Sequence, residues 1–399
     1  MNTTTFNSVY VLLFLMILPG ISVLDLQAQT DGDPISIGEY KIVSSRILNE
    51  DRRILIHLPR NYKKTSRSYP VFYMLYGNHR TTYFAETVSI LDSLGSGGRI
   101  PEMILVGIEN TDRYRDLLPE KPDGSPSGID RFLSFFKTEL IPFIEKSYRC
   151  KNYRLIMGPQ AGANFAFYTL FKDPTVFNAA IMTNPFRWKG GRNLMLQQAR
   201  QVFKKDKNFE KTLFITTNDN DKLEREGGKL VEEFSQFLAD INPGKFRLHI
   251  NHVKNWDEFL APLGIRPGIK AIFQNYPLPR ASETKDLEAL KRHYLRLTNE
   301  FGYEVDIPEH QTVMVYDILL KEKKSREAME ILTYILETNP NSLNGLWRVA
   351  AVHQQKGDLA KAINNLEKMV KLMGSDAGMI KRRLDQLKKM HDDNKKEKQ

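Results

Sequence analysis

The sequence contains a single cysteine, Cys150, among 399 residues. One cysteine excludes an intramolecular disulfide and any structural zinc site that needs several cysteines. The eight histidines are scattered and form no H-x-x-x-H or HExxH arrangement. The glycine-containing run at 95–98 lacks the lysine and the helix of a phosphate-binding loop. We therefore expect neither a metal nor a cofactor.

Basic residues are in excess, giving a formal net charge of +10, but much of the excess lies between 381 and 398. Such a run is typical of a solvated helix end and a frayed chain terminus. It lacks the interleaved aromatic residues of a nucleic-acid interface, so no nucleic acid is expected as a partner. With 41% hydrophobic and 27% charged residues, the chain has the composition of a globular protein, and its length suggests two domains.

Residues 9–18 form an apolar run that is too short to span a bilayer. Pro19 and Gly20 follow it, and a context of small residues that suits cleavage ends at Ala28. The pattern predicts a signal peptide at 1–28, export to the periplasm or the medium, and no stable membrane span after cleavage. Because no Lys or Arg precedes the apolar run, an uncleaved anchor stays open as an alternative.

Residues 36–279 alternate between strand and helix patterns. The runs at 71–76 and 103–108 are continuously apolar, as in strands that are buried on both faces. Residues 129–148 have a helical period, and shorter strands and helices follow up to Pro279. Repeated β-α-β units predict an α/β fold with a mostly parallel sheet covered by helices.

Residues 284–390 have helical patterns throughout and repeat at a spacing of 34 residues. The matching pairs are Ala328 with Ala362, Leu332 with Leu366, and Leu336 with Val370. This is the period of tetratricopeptide (TPR) repeats, so we expect a TPR-like domain that binds a protein partner or packs against the first domain. A plain stack of helical hairpins is the alternative. Trp347 is expected in the core of this region rather than in a groove.

Gly158-Pro159-Gln160-Ala161-Gly162 lies between a predicted strand and a predicted helix. Spacing and context match the G-x-S-x-G elbow, where a strained turn presents a nucleophilic serine. Gln160 stands at the serine position. An amide has no hydroxyl or thiol for a base to deprotonate, so Gln160 is not expected to act as a nucleophile.

Residues 45–275 resemble the esterase D-like branch of the α/β-hydrolases, which includes feruloyl and siderophore esterases. The resemblance is carried by RILIHLP at 53–59, by YPV and LYGN at 69–71 and 75–78, by VGIENTDR at 106–113, and by the elbow itself. It implies the α/β-hydrolase fold and carboxylic-ester hydrolysis. Residues 285–375 are similar to the TPR-type tail of bacterial members.

The same resemblance places the remaining site residues. The triad histidine is expected near Asp257, where no histidine stands, although a shifted alignment offers His252. The triad acid is expected among the residues after strand 212–216, with Asp219 or Asp221 as candidates. The candidates for the oxyanion hole or the pocket around it are Tyr76, Asn78 and Ala161.

These observations favour an exported esterase homologue without catalysis, a pseudoenzyme that binds a ligand or a protein. Gln160 offers two donors and one acceptor, which suits a small polar or ester-like ligand. An active carboxylic-ester hydrolase that uses other residues is one alternative. A structural or assembly protein without a specific ligand is the other.

Overall fold

The computed structural model describes residues 36–60, 62–76, 81–121, 123–186, 192–254, 261–279 and 286–396. The predicted signal peptide at 1–28 lies outside these ranges. Within them, none of the helices has both the length and the apolar character required to cross a membrane.

Eight strands form one sheet in the order β1-β2-β4-β3-β5-β6-β7-β8. Their bounds are β1 Glu39–Ser45, β2 Glu50–His57, β3 Tyr69–Leu75, β4 Ile104–Ile108, β5 Cys150–Pro159, β6 Ala179–Thr183, β7 Thr212–Asn218 and β8 Arg247–Val253. β2 runs antiparallel to β1 and β4, and the remaining neighbours in the sheet are parallel. The predicted mostly parallel α/β sheet is confirmed.

Helices connect the strands of this sheet. They are α1 (Thr81–Ser96), α2 (Arg113–Leu117), α3 (Ile129–Phe135), α4 (Ile141–Ser147), α5 (Ala161–Lys172), α6 (Arg192–Lys205), α7 (Lys222–Ile241) and α8 (Ala261–Ile272). The predicted helix at 129–148 consists of α3, a π-helical turn at Phe136–Leu140, and α4. α8 begins at Ala261 and contains Pro267 inside the helix.

The helices cover both faces of the sheet. Tyr73 and Ile156 belong to one buried cluster, together with residues of α3, α5 and α7. On the other face, a Cβ added to Gly268 of α8 would lie 3.0 Å from the Phe214 ring and 3.1 Å from Ile181. Because successive strand residues point to opposite faces, such strands must be apolar throughout, and β3, β4, β6 and β7 are buried at each position.

The C-terminal region is helical, as expected. It contains α9 (Leu287–Phe301), α10 (Glu309–Lys321), α11 (Ser325–Thr338), α12 (Leu343–Gln355), α13 (Leu359–Met373) and α14 (Gly378–Lys396). α12 and α13 begin 34 residues after α10 and α11, from 309 to 343 and from 325 to 359. Ala328 and Ala362 occupy equivalent positions and are both fully buried. Trp347 is 41% exposed, so its expected place in the core is wrong.

The helical region contacts the sheet where the parallel strands begin. The rings of Tyr153 on β5 and Phe273 after α8 pack against Phe301 and Tyr303, with centroids 5.2 to 5.6 Å apart. We call these four rings the aromatic seam. Arg247, the first residue of β8, forms an ion pair of 2.6 Å with Glu300 of α9. The seam therefore lies at the amino edge of the sheet, opposite the ends of the strands.

Candidate functional site

A single residue, Gln160, makes the turn between β5 and α5. Its backbone angles are φ 51° and ψ −114°, a region that residues with a side chain rarely adopt. Its N–H donates to the carbonyl of Thr183 on β6 at 2.7 Å, and its own carbonyl accepts the N–H of Ala163 at 3.0 Å. The turn is therefore fixed to the neighbouring strand on one side and to the helix on the other.

Two glycines allow this turn to form. A Cβ on Gly158 would lie 2.3 Å from the carbonyl carbon and oxygen of Gly162, which is far inside van der Waals contact. A Cβ on Gly162 would lie 3.1 Å from the Tyr76 ring. Strand and helix approach so closely that a side chain at 158 has no space. This is the steric reason for the two glycines of the G-x-S-x-G turn.

The side chain of Gln160 is partly exposed at the elbow. It does not cap α5, and within the described residues no group hydrogen-bonds to its amide. The amide therefore presents two donors and one acceptor without a protein partner.

Ala161 and Tyr76 differ in what they offer. Ala161 is the first residue of α5, so its N–H has no acceptor within the helix. The N–H of Tyr76 donates to Asn110 Oδ1 at 3.0 Å and is not available to an oxyanion. Tyr76 can contribute to the site only through its side chain, whereas Ala161 can contribute its N–H. Asn78 lies outside the described residues.

The Tyr76 hydroxyl is a hydrogen-bond donor at neutral pH. Burial raises the pKa of the phenol to about 12, although the nearby charge of Arg113 lowers it. Among the residues that the structure describes, none hydrogen-bonds to this hydroxyl. Arg113 itself donates to the hydroxyl of Tyr114 at 2.9 Å.

Further polar side chains lie buried where the parallel strands end. Each has one atom without a protein partner in the described structure: Asn110 Nδ2, Asn164 Nδ2, Thr183 Oγ1, Thr216 Oγ1 and Asn218 Oδ1. Backbone strain accumulates at the same edge, since Tyr76, Asn184 and Phe186 also have positive φ values, of 62°, 50° and 62°. Strained backbone and unsatisfied buried polar atoms are features that cluster at functional sites. The sequence gives one signal for Thr183 and Asn184, their polarity at the end of an apolar run, and none for Asn164, which lies inside an apolar helix.

The candidate acids follow β7. Asp219 is exposed, and its carbonyl accepts a hydrogen bond of 2.9 Å from Arg225. Asp221 caps α7 by accepting the N–H of Glu224 at 2.9 Å. Asp257, the position expected for the triad histidine, lies outside the described residues.

His252 does not approach the elbow. It lies on β8, is exposed, and its Nδ1 is 3.1 Å from Thr217 Oγ1. β8 is three strands away from β5 in the sheet, a lateral separation of about 14 Å at the usual strand spacing. A histidine at this position cannot serve as the base for a group at Gln160.

A family model described as putative esterase matches residues 45–234. These residues belong to the putative esterase family. The matched segment runs from the end of β1 into α7 and includes the elbow.

Among curated proteins, part of this chain is similar to two uncharacterised proteins of Bacillus subtilis. YbbA is 28% identical over 140 residues, which is 32% of this chain and 54% of YbbA. YjcH is 24% identical over 149 residues, which is 36% of this chain and 59% of YjcH. The chain thus spans somewhat more than half the length of each relative.

Solved structures show the same fold over more of the chain. An IroE-like serine hydrolase from Shewanella oneidensis has a TM-score of 0.62 at 22% identity, covering 75% of this chain and 99% of that one. An uncharacterised protein from Capnocytophaga ochracea has a TM-score of 0.57 at 18% identity, covering 88% of this chain and 99% of that one.

A cavity of about 50 Å³ lies between the amino edge of the sheet and the helical region, on the side opposite the elbow. Its lining includes Glu102, Tyr303 and His310. Burial raises the pKa of the Glu102 carboxyl and lowers the pKa of His310, so both favour their neutral forms there. Of the residues expected at the active site, those that the structure describes do not line this cavity.

Proposed function

We propose that the protein is an exported esterase homologue that does not hydrolyse esters and binds a small polar or ester-like ligand at the elbow. The observation that carries the proposal is the side chain at the elbow. Gln160 is held in the strained turn of a nucleophile, yet its side chain is an amide without a protein partner.

Ester hydrolysis by a serine hydrolase needs a nucleophile and a histidine base that act together. Gln160 cannot supply the first. The sequence contains no histidine between His252 and His293, so the loop after β8 cannot supply the second. His293 is buried on α9, with Nε2 3.1 Å from the carbonyl of Tyr276. Loss of triad members costs several orders of magnitude in rate, which supports a binding role.

The helical region is proposed to be TPR-like and to bind a protein partner. The equal helix spacing supports the repeat, and exposed apolar side chains support a contact surface, with Trp347 41% and Met379 65% exposed. A groove of about 750 Å³ runs between α9 and α11 and contains Tyr334. Export rests on the pattern of residues 1–28 alone.

Hydrolysis of 4-nitrophenyl acetate and butyrate tests the proposal. The mature protein and its Gln160→Ala variant should both release nitrophenol at the rate of buffer, and Gln160→Ser should do the same because the loop after β8 contains no histidine. Turnover by the parent protein that is lost in Gln160→Ala would establish the alternative, an active carboxylic-ester hydrolase. Equal turnover by both would place activity at another site.

A further inference from the structure

We infer that His293 is an acid-sensitive latch, which holds the helical region to the sheet at neutral pH and loosens it at acidic pH. The latch joins the imidazole of His293 on α9 to the backbone carbonyl of Tyr276, which follows α8, and to the guanidinium of Arg296. Tyr276 lines the cavity at the amino edge of the sheet. The latch is therefore separate from the elbow and goes beyond the function proposed there.

Two contacts fix the tautomer of this buried imidazole. His293 is 6% exposed, its Nε2 lies 3.1 Å from the carbonyl oxygen of Tyr276, and its Nδ1 lies 3.2 Å from Nη2 of Arg296. A carbonyl oxygen only accepts hydrogen bonds and a guanidinium only donates them. Nε2 therefore carries the hydrogen and donates to Tyr276, while Nδ1 accepts from Arg296. Both contacts can form together only in the neutral imidazole.

Protonation breaks this arrangement. The imidazolium carries a hydrogen on Nδ1 as well, so Nδ1 can no longer accept from Arg296, and a second positive charge arises beside the guanidinium. Burial lowers the pKa of His293, the hydrogen bond to Tyr276 opposes this effect, and the charge of Arg296 adds to it. Arg296 is exposed and its charge is screened by water, so burial is the larger cause.

The other groups around His293 compensate an imidazolium only weakly. Among the described residues, Glu300 on the same helix is the carboxylate whose charge raises the pKa of His293. It is already engaged in the ion pair of 2.6 Å with Arg247 of β8. The Tyr294 ring lies 5.2 Å from the imidazole, and burial raises the pKa of both Tyr294 and Tyr276. These phenols are neutral at acidic pH and add no negative charge.

Acid should therefore weaken the docking of α9. When the helical region is released, His293 meets water and titrates near its ordinary pKa of about 6.5. In the docked state the pKa is lower, so between these two values the released state binds more protons. The stability that the latch contributes is fully present above about pH 6.5 and decreases as the pH falls below this value.

Hydrogen–deuterium exchange of the mature protein, followed by mass spectrometry, tests the latch. Exchange is measured at about pH 7.5 and about pH 5.5, on either side of the ordinary imidazole pKa, and is corrected for the intrinsic pH dependence of amide exchange. We expect the corrected exchange of α9 to rise several-fold at the lower pH, and that of α5, which is buried along most of its length, to rise much less. His293→Gln should abolish the extra rise of α9, because the new amide can donate to Tyr276 but does not titrate.

Two further variants complete the experiment. His391→Gln removes a histidine from α14 and is the matched control, which should leave the acid response of α9 unchanged. His249 and His310, whose pKa values are also lowered by burial, stay in every variant, so the comparison isolates His293. Arg296→Gln, at an exposed position, should reduce the response in part, because it removes the charge and keeps a donor for Nδ1.

The inference is overturned by an acid response of α9 that is equal in the parent protein and in His293→Gln, or by no response in the parent protein. Circular dichroism at neutral pH shows whether His293→Gln folds. If it does not fold, Arg296→Gln decides: a reduced response supports the latch, and an unchanged response contradicts it.

Discussion

At the scale of single residues, steric contact fixes the elbow. Gly158 and Gly162 touch because β5 and α5 meet at a turn of one residue. Their spacing in the sequence therefore predicts the close approach. The hydrogen bond between Tyr76 and Asn110 has no such signal, since the two residues are 34 positions apart and meet only through the pairing of β3 with β4.

Substitution of Gly158 tests this steric argument. Gly158→Ala should lower the free energy of unfolding by about 1–3 kcal/mol, the usual effect of overpacking, because the new methyl group would meet the Gly162 backbone at 2.3 Å. Gly228→Ala in α7 is the control, where an added Cβ meets nothing within 4 Å. It should be neutral or stabilise by about 0.5–1 kcal/mol, measured by urea unfolding. Equal stability of the two variants would contradict the steric account.

At the scale of elements, buried charges join β2 to α2. Arg52 on β2 is fully buried and lies 2.5 Å from both Asp116 Oδ2 and Glu50 Oε1. Arg115 on α2 binds Glu50 and Asp116 in turn, at 2.8 and 2.7 Å. α2 begins three residues after Asn110, so this network holds the segment that follows β4.

Removal of one partner should destabilise this connection strongly. Asp116→Ala leaves Arg52 without its buried counter-ion, which costs about 3–5 kcal/mol in comparable cases. Asp51→Ala, an exposed position on the same strand, should change the free energy of unfolding by less than about 0.5 kcal/mol. Thermal and urea unfolding of the pair measure the difference. A loss of similar size in both variants would show that the ion pair does not hold α2.

At the scale of the whole molecule, Gly38–Gln399 forms one unit, and the helical region is joined to the sheet within it. Gln311 of α10 donates to the carbonyl of Gly98 at 3.0 Å, and Arg67 donates to the carbonyl of Ile307 at 3.1 Å. These contacts lie at the amino edge, whereas the elbow lies at the carboxyl edge. The predicted boundary between 279 and 284 falls among residues outside the described ranges, and two separate domains remain a prediction.

Substitution in the aromatic seam tests whether the helical region unfolds with the sheet. Phe301→Ala should lower the stability by about 3–5 kcal/mol, since Phe301 is 4% exposed and contacts the other three rings. Calorimetry should show one transition that shifts to lower temperature as a whole. Leu295→Ala on the same helix is the control, because Leu295 is 61% exposed. Two separate transitions, with only one shifted, would indicate that the helical region unfolds independently.

The sequence by itself determined the fold class, the position of the elbow and the 34-residue spacing of the tail. Each depends on neighbours in the chain: burial on two faces requires continuous apolar runs, a tight strand-to-helix turn requires glycines, and repeated units require a fixed period. The helices α1 and α6 were not predicted, because their hydrophobic patterns are weaker. Because such patterns involve only residues that are close together in the chain, the sequence identified Gln160 but not the polar side chains at the same edge of the sheet.

Only the tertiary structure decided which polar side chains share the carboxyl edge of the sheet with Gln160 and where the helical region docks. Asn110, Asn164 and Thr183 reach the same edge because the order of the strands in the sheet differs from their order along the chain. This order brings distant segments together. The seam forms at the opposite edge because Phe301 and Tyr303 find Tyr153 and Phe273 there. Contacts between distant segments carry no local periodicity, so their partners become visible only when the chain is folded.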